Sequence, residues 1–372
     1  SGGRLGLVVG DVGAEVIKVE RPGVGDPFRQ TTVDGYDAYW RAYGRNKRSI
    51  TLELSDPRGR ELLLRLAETA DLLAENFTPG VLERLCGGPD ALLERNPALV
   101  IVRISGWGQT GPHAGRPGFG TLAEAYSGFT YLNGPADGPP VQAPLSLADT
   151  VAGTYVASAA LAALWEVRVN GGAGQVVDVS LYEPLFSIMG ADATAYAARG
   201  RLRARGEGAG VSSVRGVFPT SDDRWVAISA ATDETAARFF AAIEREDLLA
   251  DPRFATSEAR LAHRDELHEA LVPEFRRFSR EEILALAGEH RLTIGPVLDL
   301  LDALADEHYR ARETVVELED GVVVANVVPR LSGTPAAIRR PAPQLGEHNA
   351  EVYGELGLDA GELARLAEEG VL

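Results

Sequence analysis

The sequence predicts an α/β protein with two domains: a large doubly wound, Rossmann-like domain built on a parallel sheet, and a smaller α+β domain. In the first half of the chain, short apolar strand-like segments alternate with helix-like segments. Alternating units of this kind form parallel sheets with helices on both faces. From about Arg201 the pattern changes to a hairpin centred on Asp222 and Asp223, followed by a run of helices. This change predicts where the second domain begins.

Each predicted element has its own signal in the sequence. Apolar residues, alternating or continuous, predict strands over 14–20, 49–54, 71–75, 98–105, 175–181 and 315–328. Helices are predicted over 4–13, 57–69, 79–85, 150–169 and 233–244, and near the end of the chain. Asp56 before Pro57 marks one helix start, and Ser279 with Glu282 forms a capping box at another. We assign 1–195 to the first part of the large domain, 196–312 to the small domain, and 313–372 to a return segment that completes the large domain.

The composition excludes several classes of function. The 372 residues carry a net charge of −17, which argues against nucleic acid and anionic membranes as partners. No stretch reads as long and apolar enough to span a bilayer, and no signal peptide is recognisable. Cys86 is the single cysteine, so no internal disulfide is expected, and a reducing cytoplasm is the expected location.

Neither the histidines nor the glycine-rich stretch predicts a metal or a nucleotide redox cofactor. The six histidines form no HExxH motif and no close set with metal-ligand spacing. The glycines of 206–210 follow a helix instead of a strand, and they lack the spacing of a dinucleotide fingerprint. Two interpretations of this stretch stay open: an inter-domain linker, or a mobile cover over an active site.

Asp149 lies at a strand-to-helix turn, ahead of a long helix of small residues predicted from Thr150 to Val169. Backbone N–H groups and the helix dipole favour an anion at such a turn. A carboxylate there is either an N-cap or a nucleophile. On this residue alone the N-cap is the better hypothesis, so the neighbouring motifs must decide.

Four stretches place polar or basic residues next to predicted strand ends, where ligands of parallel sheets bind. They are 16–23 (VIKVERPG), 44–50 (GRNKRSI), 75–80 (ENFTPG) with Arg84 one turn later, and 104–112 (ISGWGQTGP) followed by 116–120 (RPGFG). Arg45, Lys47 and Arg48 form the densest basic cluster of the first half. We expect this cluster to offset the global negative charge for a polyanionic ligand.

In this order, the stretches resemble those of the class III CoA-transferase family, which includes formyl-CoA transferases and carnitine-type CoA-transferases. The resemblance extends through 295–297 (GPV) to the tail motif 345–349 (LGEHN), and so covers essentially the whole chain. It implies a homodimer with an interlocked architecture, in which each chain threads through a ring made by the other. Family members begin with a further strand and turn, so we expect a strand to precede Ser1.

The resemblance also implies site residues. Asp149, ahead of Gly153, matches the nucleophilic aspartate of the family. CoA-binding positions are implied at Arg21, Asn76, Phe77, Thr78, Arg84, Pro117, Gly118, Phe119 and Gly120. The segment with Leu52, Leu54 and Ser55 matches one that lies along the adenosine. The guanidinium group of arginine can donate two hydrogen bonds to one phosphate of CoA, and apolar side chains can pack against the adenine ring.

The implied reaction moves CoA from a donor acyl-CoA thioester to a free carboxylic acid, with no metal. It proceeds through an aspartyl mixed anhydride and an aspartyl-CoA thioester at Asp149, because covalent catalysis divides one difficult exchange into easier steps. Many transferases of the family carry an acidic residue at the position of Gly120. Its absence here predicts that the substrates differ from theirs.

Three alternatives stay open. An α-methylacyl-CoA racemase of the same fold would need a histidine after Gly118, where this chain has Phe119. A non-catalytic acyl-CoA-binding protein would not need Asp149. An acyl-CoA hydrolase would need a water-accessible aspartyl intermediate.

Overall fold

The computed structural model describes residues 1–206 and 214–372, which form two compact units. The large unit comprises Ser1–Leu202 and Glu313–Leu372, and the small unit comprises Arg203–Arg312. The sequence places the corresponding boundaries after residues 195 and 312. Most of the glycine-rich stretch 206–210 lies outside the described residues, so neither interpretation of it can be compared with the structure.

The secondary structure follows the predicted alternation of strands and helices. The strands are β1 (Val16–Glu20), β2 (Lys47–Thr51), β3 (Leu72–Glu75), β4 (Val100–Ser105), β5 (Val176–Ser180), β6 (Val214–Pro219), β7 (Trp225–Ala230), β8 (Ile294–Pro296), β9 (Val315–Glu317) and β10 (Val323–Ala325). The helices up to β5 are α1 (Gly2–Asp11), α2 (Ala38–Tyr43), α3 (Pro57–Thr69), α4 (Val81–Cys86), α5 (Gly88–Arg95), α6 (Gly120–Tyr126), α7 (Phe129–Leu132) and α8 (Leu147–Arg168). The later helices are α9 (Tyr182–Ser187), α10 (Asp192–Arg199), α11 (Asp233–Ala242), α12 (Asp247–Ala250), α13 (Ser257–Ala262), α14 (Arg264–Phe275), α15 (Arg280–His290), α16 (Leu300–Ala305), α17 (Glu307–Ala311), α18 (Asn349–Glu355) and α19 (Ala360–Glu368).

The parallel strands of the large unit lie in two sheets, whereas the sequence predicts one. β1 pairs in parallel with β2, and β3, β4 and β5 form a parallel sheet in that order. The second edge of β2 is already occupied by the tail motif and the start of α18. The Thr51 N–H donates to Asn349 Oδ1 at 2.8 Å, the Tyr353 hydroxyl donates to the Thr51 carbonyl at 2.7 Å, and the His348 N–H donates to the Ser49 carbonyl at 2.9 Å. Because these contacts use the groups that another strand would need, β2 ends its sheet.

Helix α8 forms the centre of one core of the large unit. Its seven buried residues are all small or medium-sized: Ala148, Ala152, Gly153, Val156, Ala157, Ala160 and Ala163. All of them except Gly153 belong to a hydrophobic cluster that includes residues of α1, β4 and α6. Gly153 permits close packing, because a Cβ at this position would lie only 2.7 Å from the Cβ of Arg4. The first turns of α1 and α8 therefore lie side by side.

By length and composition, α8 is also apolar enough to cross a bilayer, which corrects the expectation from the sequence. The core helix of a folded unit satisfies the same criterion. The alanine-rich side of α8 packs in the core described above, so core packing accounts for part of its apolar character.

The small unit is built on the antiparallel sheet β6-β7-β8. Its hairpin turns at Asp222 and Asp223, as predicted, and its core is rich in phenylalanine, with the rings of Phe218 and Phe275 stacked at 4.4 Å. The predicted capping box is confirmed. The Glu282 N–H donates to Ser279 Oγ at 3.2 Å, and the Ser279 N–H donates to Glu282 Oε2 at 2.7 Å.

Candidate active site

The first turn of α8 carries Asp149, whose side chain is 32% exposed. Its Oδ1 lies 3.0 Å from the backbone nitrogen of Ser1, at the start of α1. Its Oδ2 lies against Gly120, the first residue of α6, where an added Cβ would come within 2.3 Å of that oxygen. The carboxylate is therefore held where three helices begin, and it stays accessible to solvent.

Asp149 is not the N-cap of α8, which corrects the structural alternative considered from the sequence. Ser146 precedes the helix and makes no side-chain cap bond. The Ala148 N–H donates instead to Oε1 of Glu124, a residue of α6, at 3.2 Å. Since a side chain distant in sequence caps α8, the helix begins at Leu147, and the Asp149 carboxylate is not used as the cap. Glu124 did not emerge from the sequence; the available signal was one acidic residue in the short helix after Gly120.

The turn after β3 lies next to the same corner. Asn76 and Thr78 are exposed there, and Phe77 is partly exposed. A Cβ on Gly2 would lie 3.9 Å from the Asn76 carboxamide. Asp149 contacts Ser1, and Asn76 lies near Gly2, the next residue along the chain. The two side chains therefore lie at the same end of α1. The structure thus brings two implied CoA-binding residues, Asn76 and Gly120, close to the candidate nucleophile.

Arg84 and Arg21 are both exposed cations at the ends of βα connections. Within residues 1–206 and 214–372, the Arg84 guanidinium forms no hydrogen bond or ion pair, and its Nη1 would lie 3.4 Å from a Cβ on Gly80. Arg21 makes a single long contact, from Nε to Glu53 Oε2 at 3.3 Å. An exposed ion pair of this kind contributes little to stability. Both charges are therefore available to a phosphate.

The segment implied to follow the adenosine is only partly accessible. Leu52 is 2% exposed and packs in a core with Ile50, Leu62 and Val352, so its side chain does not reach the surface. Leu54 packs at the margin of the same core. Ser55 donates to Glu53 Oε1 from both its hydroxyl, at 2.6 Å, and its N–H, at 3.0 Å. These bonds from Ser55, with a smaller contribution from Arg21, lower the pKa of Glu53.

The loop from Pro117 to Gly120 packs on the end of β4 through two glycines. A Cβ on Gly106 would lie 2.6 Å from the Gly118 Cα, so neither position has room for a side chain. The Trp107 indole N–H donates to the Pro117 carbonyl at 3.1 Å, which fixes the loop. Phe119, in contrast, is 75% exposed. The loop thus holds its backbone against β4 and presents its one aromatic side chain to solvent.

An aromatic cluster beside this loop was not predicted from the sequence. The rings of Trp107, His113, Tyr126 and Tyr182 lie next to one another. Trp107 and Tyr126 meet edge to face with centroids 5.0 Å apart, a favoured geometry for aromatic pairs. The residues come from separate segments of the chain, so their spacing gave no signal. The cluster braces the C-terminal end of α6 against the loop after β4.

The basic cluster of 45–48 is buried, which corrects the prediction of a cationic surface for a polyanion. Arg45 pairs with Asp11 at 2.6 Å, and Arg48 contacts Glu15, Glu351 and Glu355. Lys47 lies among these groups and donates to the Tyr43 carbonyl. Burial, followed by the charge of Lys18, lowers the pKa of Lys47 to about 7. The charges of this segment are therefore compensated inside the protein.

The acidic and histidine side chains offer no clustered metal ligands in the part of the chain that the structure describes, because no three of them come together in a suitable geometry. His348, which we interpret as structural, accepts the Ser49 N–H on its Nδ1 at 3.3 Å. It is part of the contact between the tail motif and β2.

Comparisons with known proteins identify the family. The family model of CoA-transferase family III matches residues 2–349. The chain belongs to CoA-transferase family III. Family III relatives include succinyl-CoA–D-citramalate CoA-transferase of Chloroflexus aurantiacus, which is 36% identical over 99% of this chain and 93% of the relative. Succinate–glutarate CoA-transferase of Agrobacterium fabrum is 33% identical over 94% of this chain and 91% of the relative.

Solved structures of family III show the same mixed α/β fold. A CAIB/BAIF family protein from Brucella suis superimposes with a TM-score of 0.83, at 30% identity, over 95% of both chains. Family and relatives together identify the chain as a CoA-transferase. This identity favours the transferase hypothesis over the racemase and the passive-binder hypotheses, as does Phe119 at the position where a racemase needs histidine.

Proposed function

We propose that the chain transfers CoA between two carboxylic acids, with Asp149 as the covalent nucleophile. The observation that carries this proposal is the Asp149 carboxylate, partly exposed where α1, α6 and α8 begin and adjacent through α1 to Asn76. A nucleophilic carboxylate must be fixed and yet reachable by the substrate, and both conditions hold here.

In the first half-reaction, an oxygen of Asp149 attacks the thioester carbonyl of the donor and releases CoA thiolate, leaving a mixed anhydride. The thiolate then attacks the aspartyl carbonyl of the anhydride, which gives an aspartyl-CoA thioester and the free donor acid. The carboxylate of the acceptor attacks this thioester and again releases the thiolate. Attack of the thiolate on the acceptor acyl carbonyl gives the new acyl-CoA and regenerates Asp149. Each step exchanges one activated acyl bond for another, so no ATP is consumed.

The exposed arginines supply the binding site for CoA in this proposal. Arg84 is free to form bidentate bonds to a phosphate, and Arg21 can exchange its weak contact with Glu53 for one. Asn76, Phe77 and Thr78 form the exposed turn after β3, in the connection that leads to Arg84 in α4, and Asn76 lies near Gly2 at the start of α1. In this proposal the turn contacts the pantetheine arm. Leu54 and Ser55 are the accessible part of the segment proposed to follow the adenosine.

We propose short dicarboxylic acids as the substrate class. Support comes from the relatives named for citramalate, succinate and glutarate, all of which carry two carboxylates. With succinyl-CoA as donor, citramalate and glutarate should accept CoA at least about tenfold more efficiently than acetate or butyrate, a difference of about 1.4 kcal/mol. Equal efficiency with the monocarboxylates would remove the dicarboxylate class from the proposal.

The covalent step is tested by mass spectrometry. On incubation with succinyl-CoA, the protein should gain a CoA-sized adduct that hydroxylamine removes. Asp149→Ala should form no adduct and show no exchange, while its affinity for CoA stays within about twofold of the unmodified protein. Exchange that persists in Asp149→Ala would show that another group is the nucleophile.

We also propose the interlocked homodimer. Along α8, Tyr155, Leu161 and Trp165 are large apolar side chains that the single chain leaves exposed. Large apolar side chains left exposed along one helix support an interaction surface there. Light scattering should give twice the mass of the chain, and a monomer at micromolar concentration would contradict the proposal.

A further inference from the structure

We propose that the large unit binds a small zwitterion, an α-amino acid, in a cavity at the amino ends of β1 and β2. The cavity has a volume of about 340 Å³, near the lower limit for small-molecule sites. The inference goes beyond the proposed function and does not depend on it. Three cationic and three anionic side chains line the cavity: Arg48, Arg339, Arg340, Glu15, Glu351 and Glu355.

The cavity lies at the opposite end of the strands from the proposed CoA contacts. Ala14 and Glu15 precede β1, and Asn46 precedes β2. Arg21 and Ser55, in contrast, follow β1 and β2. Because the two strands are parallel and five residues long, about 16 Å of sheet separates their two ends. A small ligand in the cavity therefore leaves the proposed CoA site free.

The charges that line the cavity are divided unevenly. All three carboxylates contact the guanidinium of Arg48, and each is more than half exposed. Three anions around one cation leave an excess of negative charge there. Arg339 and Arg340 pair with no carboxylate in the part of the chain that the structure describes. Arg339 Nη2 donates to the Gly10 carbonyl at 2.5 Å, and Arg340 Nη1 faces His348. These two guanidinium groups therefore carry an excess of positive charge.

Two donors face each other beside Arg340. The N–H of Ser49, a fully buried residue of β2, donates to His348 Nδ1 at 3.3 Å. An imidazole that accepts on Nδ1 carries its proton on Nε2. That nitrogen lies 3.3 Å from Arg340 Nη1, which can only donate. An anionic oxygen can accept from both groups, so this pair of donors is suited to a carboxylate.

Arg48 also has a donor without an acceptor. Its side chain is only 6% exposed, and its Nε is buried with no hydrogen-bond partner among residues 1–206 and 214–372. A buried donor left without an acceptor costs free energy. Since Arg48 lines the cavity, a polar ligand there can supply the acceptor.

These features fit an amino acid better than a simple anion. The carboxylate of the ligand binds Arg340 and Arg339, and its ammonium group binds the carboxylates around Arg48. A phosphate would be attracted by the first two cations but repelled by the excess negative charge around Arg48. The three positive and three negative charges of the lining cancel, and a zwitterion preserves that balance.

NMR titrations with L-glutamine test the site, because this probe is zwitterionic and has an uncharged side chain. We expect a Kd of about 1 mM or lower, and binding at least about tenfold weaker for propionate, n-butylamine and inorganic phosphate, each of which carries only one sign of charge. Saturating CoA should change the Kd for glutamine by less than about twofold, since the two sites are separate. Phosphate that binds as tightly as glutamine, or competition between glutamine and CoA, would overturn the proposal.

Two substitutions locate the charges that bind the ligand. Arg340→Gln should raise the Kd for glutamine at least about tenfold, because a charge-assisted contact is lost. Arg330→Gln is the matched control, since Arg330 is an exposed arginine of the return segment outside the cavity. Glu351→Gln should raise the Kd for glutamine about threefold or more without weakening propionate, because Glu351 attracts an ammonium group and repels a carboxylate.

Both variants should keep CoA exchange within about twofold of the unmodified protein, because neither residue belongs to the proposed active site. Unchanged glutamine binding in Arg340→Gln would overturn the assignment of the cavity. Equal weakening of glutamine and propionate in Glu351→Gln would show that no ammonium group is recognised, and the zwitterion would be the wrong ligand class. Melting temperatures identify a variant that does not fold, and the other variant then decides.

Discussion

The basic segment 45–48 and the first turn of α8 both place charged side chains inside the large unit, but their surroundings differ. The two arginines of the segment are compensated within the protein: Arg45 by Asp11, and Arg48 by carboxylates that include Glu351. The Asp149 carboxylate lies beside the Ser1 nitrogen and against Gly120, and it stays partly exposed.

The difference separates two kinds of charge that look alike in the sequence. A buried ion pair that loses one partner leaves an uncompensated charge in the interior, and that costs several kcal/mol. A charge kept for a ligand has no such partner, so its removal affects binding or catalysis and leaves stability nearly unchanged. Removing a charge should therefore lower stability in the basic segment, and it should lower activity but not stability at Asp149.

The largest effects are expected from the same substitution at two aspartates. Asp149→Asn should lower CoA exchange about 1000-fold or more with little change in the free energy of unfolding, because the amide is a poor nucleophile. Asp11→Asn should lower the free energy of unfolding by about 3–5 kcal/mol, since it breaks the buried pair with Arg45.

Urea unfolding measures the free energy of unfolding of both variants, and an exchange assay measures their rates of CoA exchange. The proposed difference between the two regions would be wrong if Asp149→Asn proves as destabilising as Asp11→Asn. It would also be wrong if folded Asp11→Asn loses CoA-exchange activity as completely as Asp149→Asn.

The next effect is a pH dependence that originates in Lys47. Its pKa is lowered to about 7, first by burial and then by Lys18, from an ordinary value of 10.5. Between these values the unfolded chain binds more protons than the folded one, so stability should rise with pH across this window. The contribution is up to about 1.4 kcal/mol per pH unit.

Lys47→Met isolates this contribution, because methionine cannot titrate. The free energy of unfolding of the unmodified protein minus that of Lys47→Met should increase from pH 7 to pH 9.5. A difference that stays constant over that range would show that the pKa of Lys47 is not lowered in the folded protein.

The smallest effect is expected at Arg84. Arg84→Ala should raise the Kd for CoA about tenfold, because one phosphate contact is lost, while kcat and the melting temperature change little. Arg58→Ala is a suitable control, since Arg58 is an exposed arginine engaged with Asp56 and Glu369. Unchanged affinity for CoA in Arg84→Ala would remove Arg84 from the binding site.

Local signals predicted much of the fold. The cap Asp56 and the following proline place the start of α3, and Ser279 with Glu282 places that of α15, because the bonds they make lie within three residues. The start of α8 could not be predicted in this way. Its cap is Glu124, which lies 24 residues before Ala148, and no local pattern reports such a contact.

Distance along the chain also explains the wrong prediction for the basic cluster. The carboxylates of Glu351 and Glu355 lie about 300 residues beyond Arg48, so the sequence shows the cations without their partners. Asp149 became a candidate nucleophile only through the family motif around it, because its exposure depends on three helices that meet in space. A candidate residue for the chemistry could therefore be named from a motif, whereas charge compensation could not be predicted.

The attachment of the tail to β2 has a consequence for biosynthesis. Residues 346–353 saturate one edge of that strand, and the Val371 carbonyl accepts the Glu53 N–H at 2.8 Å. A ribosome makes these residues after the small unit, so β2 must wait for them, whereas Arg203–Arg312 is continuous in sequence and can mature while translation proceeds. Nascent chains stalled before residue 345 should therefore protect the later-made unit from protease and leave the earlier-made one open to cleavage.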